Sequence, residues 1–265
     1  MKNFLVIGSP IGHSLSPKLH NYWIKQNNIK ATYKKKLLNK EELAGVVEDI
    51  RNDKISGINI TVPYKQEITK FIDELSPMAG KVNSVNTLFK KDGKIIGENT
   101  DIYGFEMAFK HIKYNVSGKK ILLLGAGGVA PSLICSLEKL GAGKITISNR
   151  TKEKAVKIKE TFTNINVITW GETVDFDLII NATSLGLNKD DEIKLNFNKN
   201  FKNKLFYDII YNPKKTNFLI FGENQKSRTE NGAMMFIYQA QKSFELWHGV
   251  KPIIDQNTIK LILND

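Results

Sequence analysis

The sequence predicts an α/β protein of two domains, and three observations carry that reading. Short apolar runs alternate with helical patterns from residue 4 to about residue 62. The same alternation restarts near residue 101, after a stretch patterned as a hairpin. The chain then closes on two helical stretches with no strand behind them. Strand–helix alternation of this kind builds a mainly parallel sheet with helices packed on its faces. The 265 residues, 41% of them hydrophobic, suffice for one large domain or two ordinary ones.

"FLVIG" (4–8) is a buried strand that runs into the Gly/Pro/Ser loop "GSPIGHSLSP". Residues 17–27 have helical apolar spacing, with Ser16 as N-cap and Pro17 in the first turn. "ATYKKKL" is a strand, "NKEELAGVVEDIR" a helix capped by Asn39, and "ISGINITV" a further buried strand. "SVNTLFKKDGKIIGENT" reads as a hairpin turning at "KDGK". In the second half a helix covers about 102–113, followed by the strand "KKILLLG" and a helix from about 128 to 140. Then come the strand "KITIS", the helix "KEKAVKIKETF" and the strands "FDLIINAT" and "KLFYDIIY". The tail helices, "AMMFIYQAQKSFELWHG" and "DQNTIKLIL", are placed back on the first domain. That domain is then discontinuous, 1–101 with 232–265, around a second domain of 102–231. No internal repeat or low-complexity segment appears.

Composition narrows the function classes. The net charge of +12, from 39 Lys+Arg against 27 Asp+Glu, favours anionic ligands. The lysines are scattered, and the one tight run, "YKKKL", reads as a solvated strand edge. No basic motif interleaved with aromatics is present, so nucleic acid is not expected as a partner. No apolar run approaches the roughly 18 residues of a membrane helix, and the apolar start is too short for a signal peptide. A cytoplasmic enzyme is expected. The single cysteine, Cys135, excludes an intramolecular disulfide and reads as a small core residue. His13, His20, His111 and His248 have no ligand spacing, so no metal is expected.

The most specific motif is G-A-G-G-V-A: Gly125, Ala126, Gly127, Gly128, Val129 and Ala130, directly after a strand and at a helix start. Gly125 allows the tight turn, Gly127 lets backbone approach a pyrophosphate, and the helix N-terminus offers N–H groups and a positive dipole. This is the phosphate cradle of a Rossmann-type dinucleotide domain. An NAD site usually places Asp or Glu at the end of the next strand, on the ribose hydroxyls. Here that strand ends in Asn149, Arg150 and Thr151, with Lys154 one turn on. A guanidinium binds a 2′-phosphate that a carboxylate would repel, so NADP is the expected cofactor. "NATSLGL" (181–187), with Thr183, ends a later strand, and its small polar residues fit either a face toward the dinucleotide or a simple turn of the chain.

The first domain gathers polar residues at strand ends: Ser14 and Ser16 after the first strand, and Asn59, Thr61 and Lys65 around the end of "INITVPYK". Asn86 lies in the hairpin and Asp101 at a helix start. Taken singly, Ser16 is a helix cap, Asn86 a turn residue, Asp101 a first-turn acid and Lys65 a solvated lysine. Together, beside a cofactor domain, they suggest a site.

At this point the chain resembles the shikimate dehydrogenase family along essentially its whole length. "GSPIGHSLSPKLHN", "GINITVPYK", "GKVNSVNT", "GENTDIYGF", "GAGGVA", "NRT", "NATSLG", "YDIIYNP" and "MMFIYQAQKSFELW" follow in family order. The resemblance implies reversible NADPH-dependent reduction of 3-dehydroshikimate to shikimate, a step of chorismate and aromatic amino-acid biosynthesis. It implies Ser14 and Ser16 on the substrate carboxylate, and Thr61, Asn86 and Gln239 on ring hydroxyls. Asn59 would lie close by and Tyr211 near the ring. Lys65 and Asp101 form the implied catalytic pair, and Ile209 and Gly232 approach the nicotinamide. Pro131, Met234 and Ile102 depart from residues frequent in the family.

The expected architecture has substrate on the first domain and NADP on the second, with hinges near Asp101 and residue 231 and a cleft that closes to exclude water. The partner is a small molecule, and the protein a monomer or homodimer. Two alternatives stand: a quinate/shikimate dehydrogenase of broader specificity, and a redox-dead regulatory binding module. The presence of both Lys65 and Asp101 argues against the second.

Overall fold

The elements follow the apolar pattern closely. In the computed structural model, residues 1–172, 174–195 and 201–263 are described. The first part runs β1 (Lys2–Gly8), α1 (Ser16–Gln26), β2 (Ala31–Leu37), α2 (Leu43–Arg51), β3 (Gly57–Ile60), β4 (Glu74–Leu75), α3 (Pro77–Val82), β5 (Thr87–Lys91), β6 (Lys94–Glu98) and α4 (Thr100–His111). The second part runs β7 (Lys120–Leu124), α5 (Ala130–Lys139), β8 (Lys144–Asn149), α6 (Lys152–Thr161), β9 (Ile165–Thr169), β10 (Leu178–Asn181), β11 (Leu205–Asp208), α7 (Asn217–Asn224) and β12 (Arg228–Glu230). Helices α8 (Ala233–His248) and α9 (Gln256–Leu263) complete the chain.

Two compact units result, one built from Met1–Gly104 with the stretch that begins at Ile237, the other from Phe105–Phe236. The chain passes from one to the other inside α4 and inside α8.

The first unit's sheet has the order β2-β1-β3-β5-β6-β4. The pairs β1·β2, β1·β3 and β4·β6 are parallel, and β3·β5 and the hairpin pair β5·β6 are antiparallel. Asp92 and Gly93 turn the hairpin with positive φ of 51° and 78°, the conformation a two-residue loop demands. One face of the sheet packs Ile7, Ile58, Ile60, Leu88 and Ile95 against Val46, Val47 and Ile50 of α2. Strand alternation turns Asn59 to the other face, where Trp247 of α8 donates its indole N–H to the Leu88 carbonyl at 2.9 Å. β2 is an edge strand, and its Lys34, Lys35 and Lys36 are exposed as the sequence suggested.

The second unit's sheet is wholly parallel, in the order β12-β11-β10-β7-β8-β9. Numbered from β7 this is 6-5-4-1-2-3, the doubly wound dinucleotide-binding order, with its switch point between β7 and β10. Cys135 is buried in α5. Strands β9 and β12 and helix α7 were not read from the sequence.

Candidate active site

Strand β3 ends at Ile60, and the chain leaves it in a turn that closes with Tyr64 N–H on the Thr61 carbonyl, 3.1 Å. Tyr64 packs into the core beneath the sheet and donates its hydroxyl to the Leu38 carbonyl at 2.7 Å. The Lys65 carbonyl accepts the Val85 N–H at 2.8 Å, which fixes Lys65 beside Asn86. Its ammonium donates to Asp101 Oδ2 at 2.5 Å. Lys65 is 9% exposed and Asp101 5%, so a lysine expected to be solvated on its own is a buried partner. An ammonium has three donors and Asp101 takes one, so the head is held but not used up.

Asp101 stands in the first turn of α4, where the helix dipole favours a carboxylate. Its Oδ1 accepts Asn86 Nδ2 at 3.0 Å, so both oxygens are engaged and the acid is oriented. The same Asn86 amide nitrogen donates to Thr100 Oγ1 at 2.9 Å, and Asn86 Oδ1 accepts the Thr100 N–H at 2.8 Å. Gln239 of α8 brings its Oε1 to 3.4 Å from both Asn86 Nδ2 and Thr100 Oγ1. Buried Lys65, Asp101 and Asn86 and half-buried Gln239 thus form one cluster, with buried Thr100 as a member the sequence reading missed.

The serine loop joins the same end of the sheet. Ser9 N–H donates to the Val62 carbonyl at 3.0 Å, which ties the loop to the turn that carries Lys65. Ser14 donates its hydroxyl to Ser16 Oγ at 3.2 Å and accepts the Ser16 N–H at 3.3 Å. Ser16 is therefore not the helix cap expected of it. It is the first residue of α1, after Leu15 as N-cap, and its hydroxyl makes no capping bond. The pair presents neighbouring hydroxyls, suited to the two oxygens of a carboxylate. Thr61 is half-buried just past β3.

Asn59 lies close by this cluster. Its Oδ1 accepts the Tyr33 hydroxyl at 2.7 Å. Its Nδ2 faces the Asn86 carbonyl, Thr87 Oγ1 and Ser243 Oγ, each at 3.0 Å. Through these bonds Asn59 braces the backbone of Asn86. Tyr211 lies in the second unit, stacked on Phe236 at 4.4 Å.

In the second unit Gly125 has φ +106°, and a Cβ there would lie 2.8 Å from the Ala182 carbonyl oxygen, so only glycine fits the turn. A Cβ at Gly127 or Gly128 would meet no protein atom within 4 Å. The absent side chains leave backbone open beside the start of α5, the room a pyrophosphate needs. Gly232 packs on the Ile209 carbonyl with no room for a Cβ, which would sit 2.0 Å from the oxygen.

Asn149 ties the two parts of this site together. Its Oδ1 accepts the Ala126 N–H at 3.0 Å and its Nδ2 donates to the Thr151 carbonyl at 2.7 Å. The carboxamide thereby holds the glycine loop in shape. Arg150, Thr151 and Lys154 are exposed next to it, and Thr151 makes no side-chain cap to α6. The residues present fit NADP: an open glycine cradle, and basic groups where an adenine-ribose carboxylate would otherwise stand.

Asn181 and Asp208 were also missed. Asp208 ends β11 fully buried, accepting hydrogen bonds from Asn181, Ile210 N–H and Thr216. Burial pushes its carboxyl up to about 6, opposed by those three donors.

Comparison with known proteins gives a consistent result. The model of the shikimate dehydrogenase substrate binding domain matches residues 6–88. That of shikimate / quinate 5-dehydrogenase matches residues 106–215. A shikimate dehydrogenase (NADP(+)) of Pelagibacter ubique is 55% identical, covering 98% of each chain. Among solved structures, a shikimate dehydrogenase in complex with NADP+ aligns with a TM-score of 0.91 at 33% identity, covering 100% of this chain and 94% of that one. The shikimate 5-dehydrogenase of Listeria monocytogenes, in complex with shikimate and NAD, aligns with a TM-score of 0.89 at 29% identity, covering 99% and 96%. Sequence relatedness across nearly the full length, the same two folds and the same order of motifs agree: the chain belongs to the shikimate dehydrogenase family.

Proposed function

We propose that this chain catalyses the reversible reduction of 3-dehydroshikimate to shikimate with NADPH, a step toward chorismate and the aromatic amino acids, as a cytoplasmic enzyme. The buried Lys65–Asp101 pair, oriented by Asn86 and flanked by Gln239, is the observation that carries the reading. When bound, NADPH supplies the hydride. Lys65 stabilises the negative charge that develops on the ketone oxygen and donates the proton that makes it a hydroxyl. Asp101 holds the ammonium in place, and in the reverse direction the pair takes the proton back. Ser14 and Ser16 bind the ring carboxylate, and Thr61, Asn86 and Gln239 bind ring hydroxyls, with Tyr211 against the ring. Gly125 to Ala130 cradle the pyrophosphate, and Arg150, Thr151 and Lys154 take the 2′-phosphate. Thr183 faces the dinucleotide, and Ile209 and Gly232 approach its nicotinamide side.

The test is to follow NADPH absorbance with purified protein and 3-dehydroshikimate; no substrate-dependent oxidation would end the proposal. A second reading, turnover of quinate as well, draws on the family description matched at residues 106–215, which names both acids. Assaying both acids with both nicotinamide cofactors separates the two. For the cofactor, Arg150→Gln is expected to raise KM for NADPH about tenfold or more and leave KM for NADH unchanged. Equal effects on both would remove Arg150 from the 2′-phosphate.

A further inference from the structure

The second unit holds a buried carboxylate with only neutral partners. Asp208 is 0% exposed at the end of β11. Its Oδ1 accepts Asn181 Nδ2 and the Ile210 N–H, each at 3.0 Å, and its Oδ2 accepts the Thr216 hydroxyl at 2.6 Å. Isolated carboxylates are costly to bury, and hydrogen bonds to an ionised acceptor are stronger and more directional than neutral ones.

What these bonds hold in place is the point. Asn181 Oδ1 accepts both the N–H of Thr183, at 3.0 Å, and its hydroxyl, at 2.7 Å. Asn181 Nδ2 also donates to the Leu185 carbonyl at 3.0 Å, and Thr183 Oγ1 accepts the Leu185 N–H at 3.0 Å. The Asn181 carbonyl accepts the Ile209 N–H at 3.1 Å. Ala182, inside this segment, lies against Gly125, where a Cβ would come within 2.8 Å of its carbonyl oxygen. Ile209, next to Asp208, is the floor on which Gly232 rests. The side-chain pair thus holds the Thr183–Leu185 segment through Asn181 and the chain beside Ile209 through the Ile210 N–H, and the backbones of Gly125 and Gly232 pack on those two segments.

We infer that Asp208 is a positioning residue for NADP(H): through Asn181 it fixes residues 181–185 and Ile209 against the Gly125 turn, and so sets the affinity for the dinucleotide. The inference rests on the functional reading above only in taking NADP(H) as the ligand. It makes Asp208, a group with no assigned contact to cofactor or substrate, a determinant of one KM and not the other.

The experiment is a fluorescence titration of NADPH into purified wild type, Asp208→Ala, Asp208→Asn, Asn181→Ala and the Asp208→Ala/Asn181→Ala double variant, with steady-state KM values beside it. Asp208→Ala is expected to weaken NADPH binding about 10- to 100-fold and leave KM for the carbocyclic acid within about twofold. Asn181→Ala is expected to match it, and the double variant to be no worse than either, because residues acting as one unit are not additive. Asp208→Asn keeps an oxygen for Asn181 and Ile210, so most of the affinity returns. Asp208→Ala that melts earlier but binds NADPH like wild type would make the carboxylate merely structural and overturn the inference; additive losses in the double variant would overturn the route through Asn181. Should Asp208→Ala not fold, Asn181→Ala and Thr216→Val break the same chain from its two ends and are judged by the same titration. A wild type that binds NADPH but does not reduce 3-dehydroshikimate defeats the functional reading alone, whereas one that does not bind NADPH defeats both.

Discussion

Replacing Lys65 by methionine is expected to lower kcat by about 10²- to 10⁴-fold and to leave KM for the carbocyclic substrate within a few-fold. The magnitude is that of one positioned proton donor facing a developing oxyanion, about 3–5 kcal/mol of barrier at 1.36 kcal/mol per tenfold. Methionine keeps the length and the apolar stem of the side chain, so what is removed is the charged head. The split between kcat and KM follows because the ketone oxygen carries little charge in the ground state and much in the transition state. The substitution also leaves Asp101, 5% exposed, with Asn86 as its polar neighbour and no counter-charge. A buried carboxylate stripped of its cation destabilises the fold, so a melting curve must accompany the kinetics. Asp101→Asn is the companion: Asn86 can still donate to the remaining oxygen, but the ammonium loses its orienting charge. It is expected to lower kcat by less than Lys65→Met. Steady-state measurements in which KM rises and kcat holds would make Lys65 a binding residue and remove the proposed chemistry.

What the sequence revealed and what it concealed divide along a physical line. The glycine cradle was legible because its whole argument is local: an apolar strand, a turn only glycine can make, and a helix start within a few residues. The end of the strand before Lys65 was legible for the same reason, whereas the burial of its ammonium on Asp101, 36 residues away, was not a local feature. The bracing role of Asn59 was hidden because its partners are distant in sequence: Tyr33, Thr87 and Ser243 meet it only once α8 has packed on the sheet. The bridge from Asn149 to Ala126 was not legible, because a strand end gives no sign of where its carboxamide will reach. Ser16 was read as the cap of α1 because serine before Pro17 is the usual pattern, and the chain instead starts the helix at Ser16 with Leu15 in the cap position. The lone acid in "LFYDIIY" was a visible signal, since an unpaired carboxylate in a buried strand is expensive and must have donors. Its donors, Asn181 and Thr216, could not be assigned from local pattern. The short β12, "RTE", has no apolar alternation at all and owes its existence to pairing with β11.

The second large effect concerns stability in acid, and it arises from His20. The side chain lies on the inward face of α1, 1% exposed, with its ring stacked on Tyr33 at 4.3 Å and 3°. Trp23, Phe244 and Trp247 enclose it at 5.9, 6.1 and 5.4 Å between ring centroids. Neither ring nitrogen has a hydrogen-bond partner in the fold. Burial first, and then the nearby His248, push its pKa down from 6.5 to about 3. The unfolded chain therefore takes up this proton at a higher pH than the folded one, and stability present above pH 6.5 is lost as the pH falls toward 3. At pH 4.5 the loss from this residue alone is on the order of 3 kcal/mol, a large share of the 5–15 kcal/mol of a typical domain. His248, also depressed by burial but only partly covered, adds less in the same direction. His20→Phe removes the titration and the two unsatisfied nitrogens, each of which costs about 1–3 kcal/mol when buried without a partner. The expectation is that urea midpoints of wild type fall steeply from pH 7 to 4.5 while those of His20→Phe fall more gently, with equal m-values and a variant no less stable at pH 7. Parallel slopes in the two proteins would show that His20 is not the group that titrates. A variant clearly weaker at pH 7 would show that the imidazole makes a contact the aromatic box does not otherwise supply.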